Sequence, residues 1–499
     1  MKKTLTSLLL TIMLVALTAC SGTASAASTS QTVVTASDII SEGGSLEPAS
    51  QPQTIDSTVI PSDYDSDDLS VSLEDANTTV IRLEGDSVAV EGNGVNVNGT
   101  VVTVTAAGAY NIQGILNDGQ IVVETQDAET VTLILNGTEI TSNTSAPIYV
   151  ANAEKVVITL AEGKQNTLTD ATTYYYPDDS NEPDAAVFSN DDLTINGDGT
   201  LTVNANYKNG IASDDDLKIV SGTITVNAVH DGIKGKDSVS IKDGVITINA
   251  SADGIQSSNA DEADKGYILI EAGTFNITSV LDGIQAETNL QIDGGDLTIT
   301  SGGGSVNTST NGGGMWGGPG MEGNPNKPEE SAKGLKAGVD LTITTGTFNI
   351  NSADDSIHTN DSININDGNI LIASGDDGIH ADATLTVNGG EINLTQSYEG
   401  LESAIITVNG GTIHVNASDD GINAGGGADG SSMNGRPGQN QFATGNYFVY
   451  INGGYLFIDA GGDGLDTNGS FAMTDGVVLV NGPTMAKKPS QLPAVKNPT

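Results

Sequence analysis

Cysteine is all but missing. Cys20 is the single one in 499 residues, which excludes an internal disulfide framework. Arginine is nearly missing too, with only Arg82 and Arg436. Lysine and arginine together number 18 against 64 acids, and the formal net charge is −46. Such a surface repels nucleic acid and anionic lipid and attracts divalent cations. Aromatic residues make up 4%, so stacking platforms are few. The histidines number four, His230, His358, His380 and His414. That scarcity, with no cysteine to spare, speaks against a zinc centre. Glycine is what abounds, at 62 residues, as tight repeated turns require.

The start of the chain stands apart. Lys2 and Lys3 precede a mostly apolar run from Leu8 to Leu17, too short to cross a bilayer and matched to an export signal. Leu17-Thr18-Ala19-Cys20 resembles a bacterial lipoprotein box, which implies loss of residues 1–19 and lipidation of Cys20. The expectation is an exported lipoprotein, membrane-anchored at the cell surface or outer envelope. Residues 20–68 are rich in Ser, Thr, Pro and Asp and read as a flexible tether. Asp63, Asp65, Asp67 and Asp68 read as linker acids within it. Strands are expected from about Leu69, and the folded body over 69–482. Residues 483–499 read as an irregular tail with no visible terminal cap.

The body repeats a short phrase. DGIKG at 231–235, DGIQS at 253–257, DGIQA at 282–286, DSIHT at 355–359, DGIHA at 377–381, EGLES at 399–403, DGINA at 420–424 and DGLDT at 463–467 share one grammar. Gly210, Gly232 and Gly254 are 22 residues apart, as are Gly334, Ser356, Gly378 and Gly400, and Gly421 follows after 21. A period of this size marks a solenoid. Within a cell, Ile379, Leu385, Val387, Ile392 and Leu394 alternate with polar residues, and Asn388-Gly389-Gly390 breaks the run. No segment buries its own apolar face alone, but stacked coils bury a continuous core. The expected fold is all-β, a single-stranded parallel β-helix of about 20–22 residues per coil with loop insertions at its corners. The insertions at 258–266, 302–330 and 425–444 all flank the strands that carry the repeated phrase.

The phrase aligns a column of acids. Asp231, Asp253, Asp282, Asp355, Asp377, Glu399, Asp420 and Asp463 recur at one position. Coils lie about 4.8 Å apart, so stacked carboxylates repel unless something intervenes. One reading has them accept hydrogen bonds from turn amides and hold corners. The other has acids on neighbouring turns hold Ca²⁺, which takes six to eight oxygens. Candidate ligands are Asp231, Asp253, Asp282, Asp354, Asp355, Asp376, Asp377, Asp419, Asp420 and Asp463. By alternation, the residue after the Ile points outward, which makes Gln256, Gln285, His358 and His380 candidate ligand-binding residues on a surface ladder. Tyr174, Tyr175 and Tyr176 either pack a turn or stack on a sugar. Trp316 has the same two readings.

The N-[GD]-G-x-[IF]-x-[IV]…[SA]-x-D-D-G-[IL]-[HQ]-[AT] grammar, strongest over Asp214–Gly254 and Asp354–Gly421, resembles the bacterial carbohydrate-binding domain family of lipoproteins. The resemblance covers roughly 70–480. It implies a right-handed, pectate-lyase-like parallel β-helix, bound calcium, and a ligand that is cellulose or an acidic, pectin-like polysaccharide. It also implies that the acidic ladder faces calcium and ligand. The function expected is non-catalytic, calcium-assisted polysaccharide binding at the cell surface. Two alternatives stay open. One is a calcium-dependent lyase, which needs a basic side chain to take the proton beside the uronate. The other is an adhesin or scaffold that holds a protein partner.

Overall fold

The computed structural model describes residues 59–71, 78–176, 181–307, 331–425 and 446–482, together with the backbone of Thr32–Val34. The described residues are all-β, with one long, mostly parallel sheet of 42 strands. Most strands pair in parallel with the third strand that follows, so three ladders run side by side. The first holds the repeated phrase, through Ile233–Gly235, Ile255–Ser257, Ile284–Ala286, Leu335–Ala337 and Ile357–Thr359. The second runs through Asp216–Ile219, Ser238–Ile241, Tyr267–Ile270, Leu290–Ile292 and Asp340–Ile343. The third runs through Thr223–Ala228, Val245–Ala250, Thr274–Ser279, Asp296–Ser301 and Thr347–Ser352. This pairing is consistent with a β-helix-like solenoid.

The core lies between the ladders. Ile233, Ile255, Ile284, Leu335, Ile357, Ile379, Leu401 and Ile422 are fully buried, as are Ile246, Ile248, Val239 and Ile241. Each such side chain contributes about 1.5–3 kcal/mol of apolar burial. The conserved spacing of glycine has a cause other than a turn. A Cβ on Gly254 would lie 2.4 Å from Ile277 Cγ2 and 2.4 Å from the Gly283 carbonyl oxygen. Gly232, Gly283, Gly334 and Gly400 meet the same pair of neighbours. The aligned position therefore faces the core rather than solvent. Turn glycines are a separate set: Gly390 follows Asn388 with φ +89°. Beside it runs an asparagine stack in which Asn388 donates to Asn366 (2.9 Å) and Asn409 to Asn388 (2.8 Å).

Two strands, Ile379–Val387 and Leu401–Val408, run through the corner between the first and second ladders. Their register slips between Ala381 and Thr384, which absorbs the coil of 21 residues.

Both ends differ from the middle. At the start, Thr79–Gly85 pairs antiparallel with Val88–Glu91, and Val95–Asn98 with Val101–Val104. At the other end, Thr32–Val34 pairs antiparallel with Val478–Val480. Part of the expected tether thus covers the edge that was expected to lack a cap. Among the described residues, the first strand of the body is Thr79–Gly85.

Residues 59–71 form a strap along the second ladder, and the linker-acid reading of Asp68 fails there. Asp68 is fully buried. Its carboxylate accepts from Thr194 Oγ1 (2.6 Å) and Lys155 Nζ (3.1 Å), and Lys218 Nζ lies at 3.5 Å. Asp65 accepts from Lys155 at 2.6 Å, and Asn196 donates to the carbonyls of Asp68 and Ser70. Further along, the Ile60 amide donates to Gln291 Oε1 at 2.7 Å. Burial opposes ionisation of Asp68, but Thr194, the Asp65 amide, Lys218 and Lys155 hold it below the usual carboxylate range.

Candidate functional site

The acid column is real, and its two oxygens have different duties. One oxygen of six of the aspartates accepts the backbone amide of the next coil. Asp231 Oδ1 accepts from the Asp253 amide (3.2 Å), Asp253 Oδ1 from Asp282 (2.9 Å) and Asp282 Oδ1 from Lys333 (2.7 Å). The series continues with Asp355 Oδ1 to the Asp377 amide (3.0 Å), Asp377 Oδ1 to Glu399 (3.1 Å) and Asp420 Oδ1 to Asp463 (2.6 Å). These bonds fix each carboxylate and leave its second oxygen aimed at a neighbouring column. That column, set by strand register, is Lys234, Gln256, Gln285, Lys336, His358, His380, Glu402 and Asn423.

Along the first coils this second column supplies donors. Gln256 Nε2 donates to Asp253 Oδ2 at 2.6 Å and Lys336 Nζ to Asp282 Oδ2 at 2.8 Å, with Lys234 Nζ 3.7 Å from Asp231 Oδ2. Lys333, which replaces an acid in the column itself, is 1% exposed and reaches Asp355 Oδ2 at 2.5 Å. His358 Nδ1 lies 2.9 Å from the same oxygen. Burial raises the Asp355 pKa, but Lys333, His358 and His380 outweigh it and hold the group well below the usual range.

Past Asp355 the donors give way to more acid. From residue 337 to 482 the sequence has no lysine and one arginine, Arg436, which lies outside the described residues. Burial, with Asp377, Asp355 and Asp354 nearby, pushes Asp376 up to about 7. Burial and Asp377 push Glu399 up to about 8. Glu402, buried beside Asp377 and Glu399, rises to about 10. His380 is buried, which works against its charge, yet Asp377, Asp382, Asp355 and Glu402 raise it to about 12. Three groups of side chains have ligand atoms within 4.8 Å of one another: Asp355–His358–His380, Asp377–His380–Glu402 and Asp354–Asp355–Asp376. Each could hold a metal ion.

The remaining candidates scatter. Asp419 and Asp420 sit one coil further on, with Asp419 accepting from the Tyr398 hydroxyl at 2.7 Å. Asp463 is exposed. His358 and His380 do not point outward: they are 2% and 1% exposed, enclosed by Asp355, Asp377, Glu402 and each other's ring. Gln256 and Gln285 are part-buried between acids. Tyr174 is buried, stacked on Tyr207 at 4.2 Å, with its hydroxyl on Asp170 and the Ala185 carbonyl. Tyr176 bonds the Pro183 carbonyl, and Tyr175 alone presents its ring to solvent. Trp316 and Cys20 lie outside the described residues.

The sequence reading missed Lys333, Glu402 and Asp382 as members of the cluster, although the lysine-free run was in plain sight. It also missed an aromatic group on the outer face of the third ladder. There His414 lies 6.2 Å from Tyr455 and 5.9 Å from Phe457, ring centre to ring centre. His414 and Tyr455 are exposed. The face leading to them is mostly polar, with Thr225, Thr247, Asn276, Thr298 and Asn349 in register and the exposed Leu371 between Asn349 and Asn393.

A family model described as carbohydrate-binding domain-containing protein matches residues 98–378. A protein of Acetivibrio thermocellus with the same description is 46% identical over 160 residues, which is 32% of this chain and 56% of the relative. The chain therefore spans about half the length of that relative. A solved structure described as the polysaccharide lyase-like protein from C. thermocellum, in a gadolinium derivative, shares 43% identity with a TM-score of 0.45, over 45% of this chain and 92% of that one. The family match spans more than half of the sequence, and the chain belongs to the carbohydrate-binding domain-containing protein family.

Proposed function

We propose that this chain is a non-catalytic polysaccharide-binding protein, built as a right-handed parallel β-helix, that binds cellulose or an acidic, pectin-like polymer with the help of Ca²⁺. On this reading it is exported and held at the cell surface through lipidated Cys20. The observation that carries the reading is the outer face of the third ladder. Its mostly threonine and asparagine column repeats at the coil spacing of about 4.8 Å, passes Leu371, and reaches His414 and Phe457 with Tyr455 beside them. A regular polymer presents regular hydroxyls and flat sugar faces, and such a surface offers hydrogen bonds along its length and a ring to stack on at one end.

Calcium fits the all-oxygen group of Asp354, Asp355 and Asp376, since a hard cation takes carboxylate oxygens. A bound cation would also bridge these carboxylates to those of an acidic polymer, which the net charge of −46 would otherwise repel. The test is retention on cellulose and on polygalacturonate, with and without chelator, for the wild type and Tyr455→Ala. Retention that weakens in Tyr455→Ala, and on polygalacturonate with chelator, supports the reading. No retention on either polymer overturns it. A time-dependent rise in unsaturated-uronate absorbance would overturn its non-catalytic part.

A further inference from the structure

The imidazole of His380 stands among three carboxylates brought in by three different coils. Its Nδ1 lies 3.5 Å from Asp377 Oδ2, 3.5 Å from Glu402 Oε2 and 3.9 Å from Asp355 Oδ2. Ligand atoms bonded tetrahedrally at about 2.0–2.2 Å to one ion stand about 3.4 Å apart, so His380 Nδ1, Asp377 Oδ2 and Glu402 Oε2 are spaced as ligands of a common centre, while Asp355 Oδ2 is held by Lys333 and His358. Each is held in place from behind. Asp355 Oδ1 accepts the Asp377 amide, Asp377 Oδ1 accepts the Glu399 amide, and Glu402 Oε1 lies 3.3 Å from Asn423 Nδ2. His380 Nε2 faces Asp382 Oδ1 at 3.3 Å, the arrangement by which a carboxylate orients a metal-bound histidine. Asp355, Asp377, His380 and Glu402 are at most 4% exposed. Imidazole beside carboxylates favours borderline transition metals over calcium. The scarcity of histidine, read from the sequence as evidence against zinc, is offset by His380 standing where the acids converge.

We propose that His380, Asp377 and Glu402 form a buried site for a divalent transition metal of the zinc class, with Asp382 as a positioning residue. The site is distinct from the all-oxygen group assigned above to calcium, and it does not rest on polysaccharide binding. His380 and Asp382 also lie just past the segment matched by the family model, which ends at residue 378.

The test uses the full chain stripped with chelator and then titrated with Co²⁺ and Zn²⁺. The visible bands of Co²⁺ report nitrogen and oxygen ligation, and equilibrium dialysis reports stoichiometry. The expected result is a saturable Co²⁺ spectrum at about one ion per chain, displaced by Zn²⁺ and not by excess Ca²⁺. His380→Gln should abolish the spectrum. Glutamine already occupies this column at Gln256 and Gln285, so the substitution suits the fold. Asp382→Asn alters a half-exposed side chain and should weaken uptake by about 10–100-fold. No saturable uptake, an unchanged spectrum in His380→Gln, or stoichiometric displacement by Ca²⁺ would each overturn the site.

Discussion

One acid column is finished in two ways. Around Asp231 to Asp282 the neighbouring column brings Lys234, Gln256 and Lys336 to the second oxygens. Around Asp377 to Glu402 it brings His380 and another acid. The backbone repeats in both regions, with the Asp253 amide bonded to Asp231 in the first and the Glu399 amide to Asp377 in the second. Only the source of positive charge differs. The column thus meets most of its second oxygens with lysine and glutamine donors in the first region, where Asp253 is still raised by its neighbours, and in the second it gathers more carboxylates that an outside cation can neutralise. Lys333, with Asp355, marks the changeover.

The largest effect should come at that changeover. Lys333→Met leaves Asp355 buried without its strongest counter-charge, at a cost of about 3–5 kcal/mol, measured by denaturant unfolding. Lys336→Met, whose side chain is 25% exposed, should cost much less. Equal costs would erase the distinction between the two regions. Next come the glycines, which serve both regions alike. Gly254→Ala would place Cβ 2.4 Å from Ile277 Cγ2, and Gly378→Ala would place it 2.1 Å from Leu394 Cδ2. Both should destabilise by about 1–3 kcal/mol. A neutral result at either would show that close approach to the core does not explain the repeat.

The smallest effect concerns pH. Asp65, hydrogen-bonded to Lys155, is held at about 2, below the unfolded aspartate value of about 3.9. Its contribution is present above the unfolded value and lost as pH falls towards 2. Asp253 has the opposite sign. Burial, with Asp282 and Asp231 on either side, raises it to about 7, so its contribution is present in acid and lost as pH rises through 7. Lys155→Met should flatten the acid limb of the unfolding midpoint and leave the limb near pH 7 unchanged. An unaltered acid limb would remove the strap from the account.

How much of this was legible depends on range. The Ile and Gly columns follow from the 22-residue period, because stacking repeats one environment in every coil. Turn amides as partners of the aspartates were legible for the same reason. Burial of His358 and His380 was not, since it comes from acids of neighbouring coils closing over the rings, which the alternation of one strand does not show. Lys333 escaped because alignment on Gly334 drew attention away from the residue before it. The Asp68 clip joins residues more than 80 apart in the chain, and no period announces such a contact. The aromatic trio joins His414 to Tyr455 and Phe457 across the third insertion, which hides their register.

Hydrogen–deuterium exchange on the chelated protein, before and after adding back divalent cation, bears most directly on the division of the column. Protection should rise at the amides of Asp377, Glu399 and their neighbours through Ala424, and stay unchanged from Asp231 to Ala286. A uniform rise along the column, or none at residues 376–424, would contradict a charge deficit concentrated in the second region.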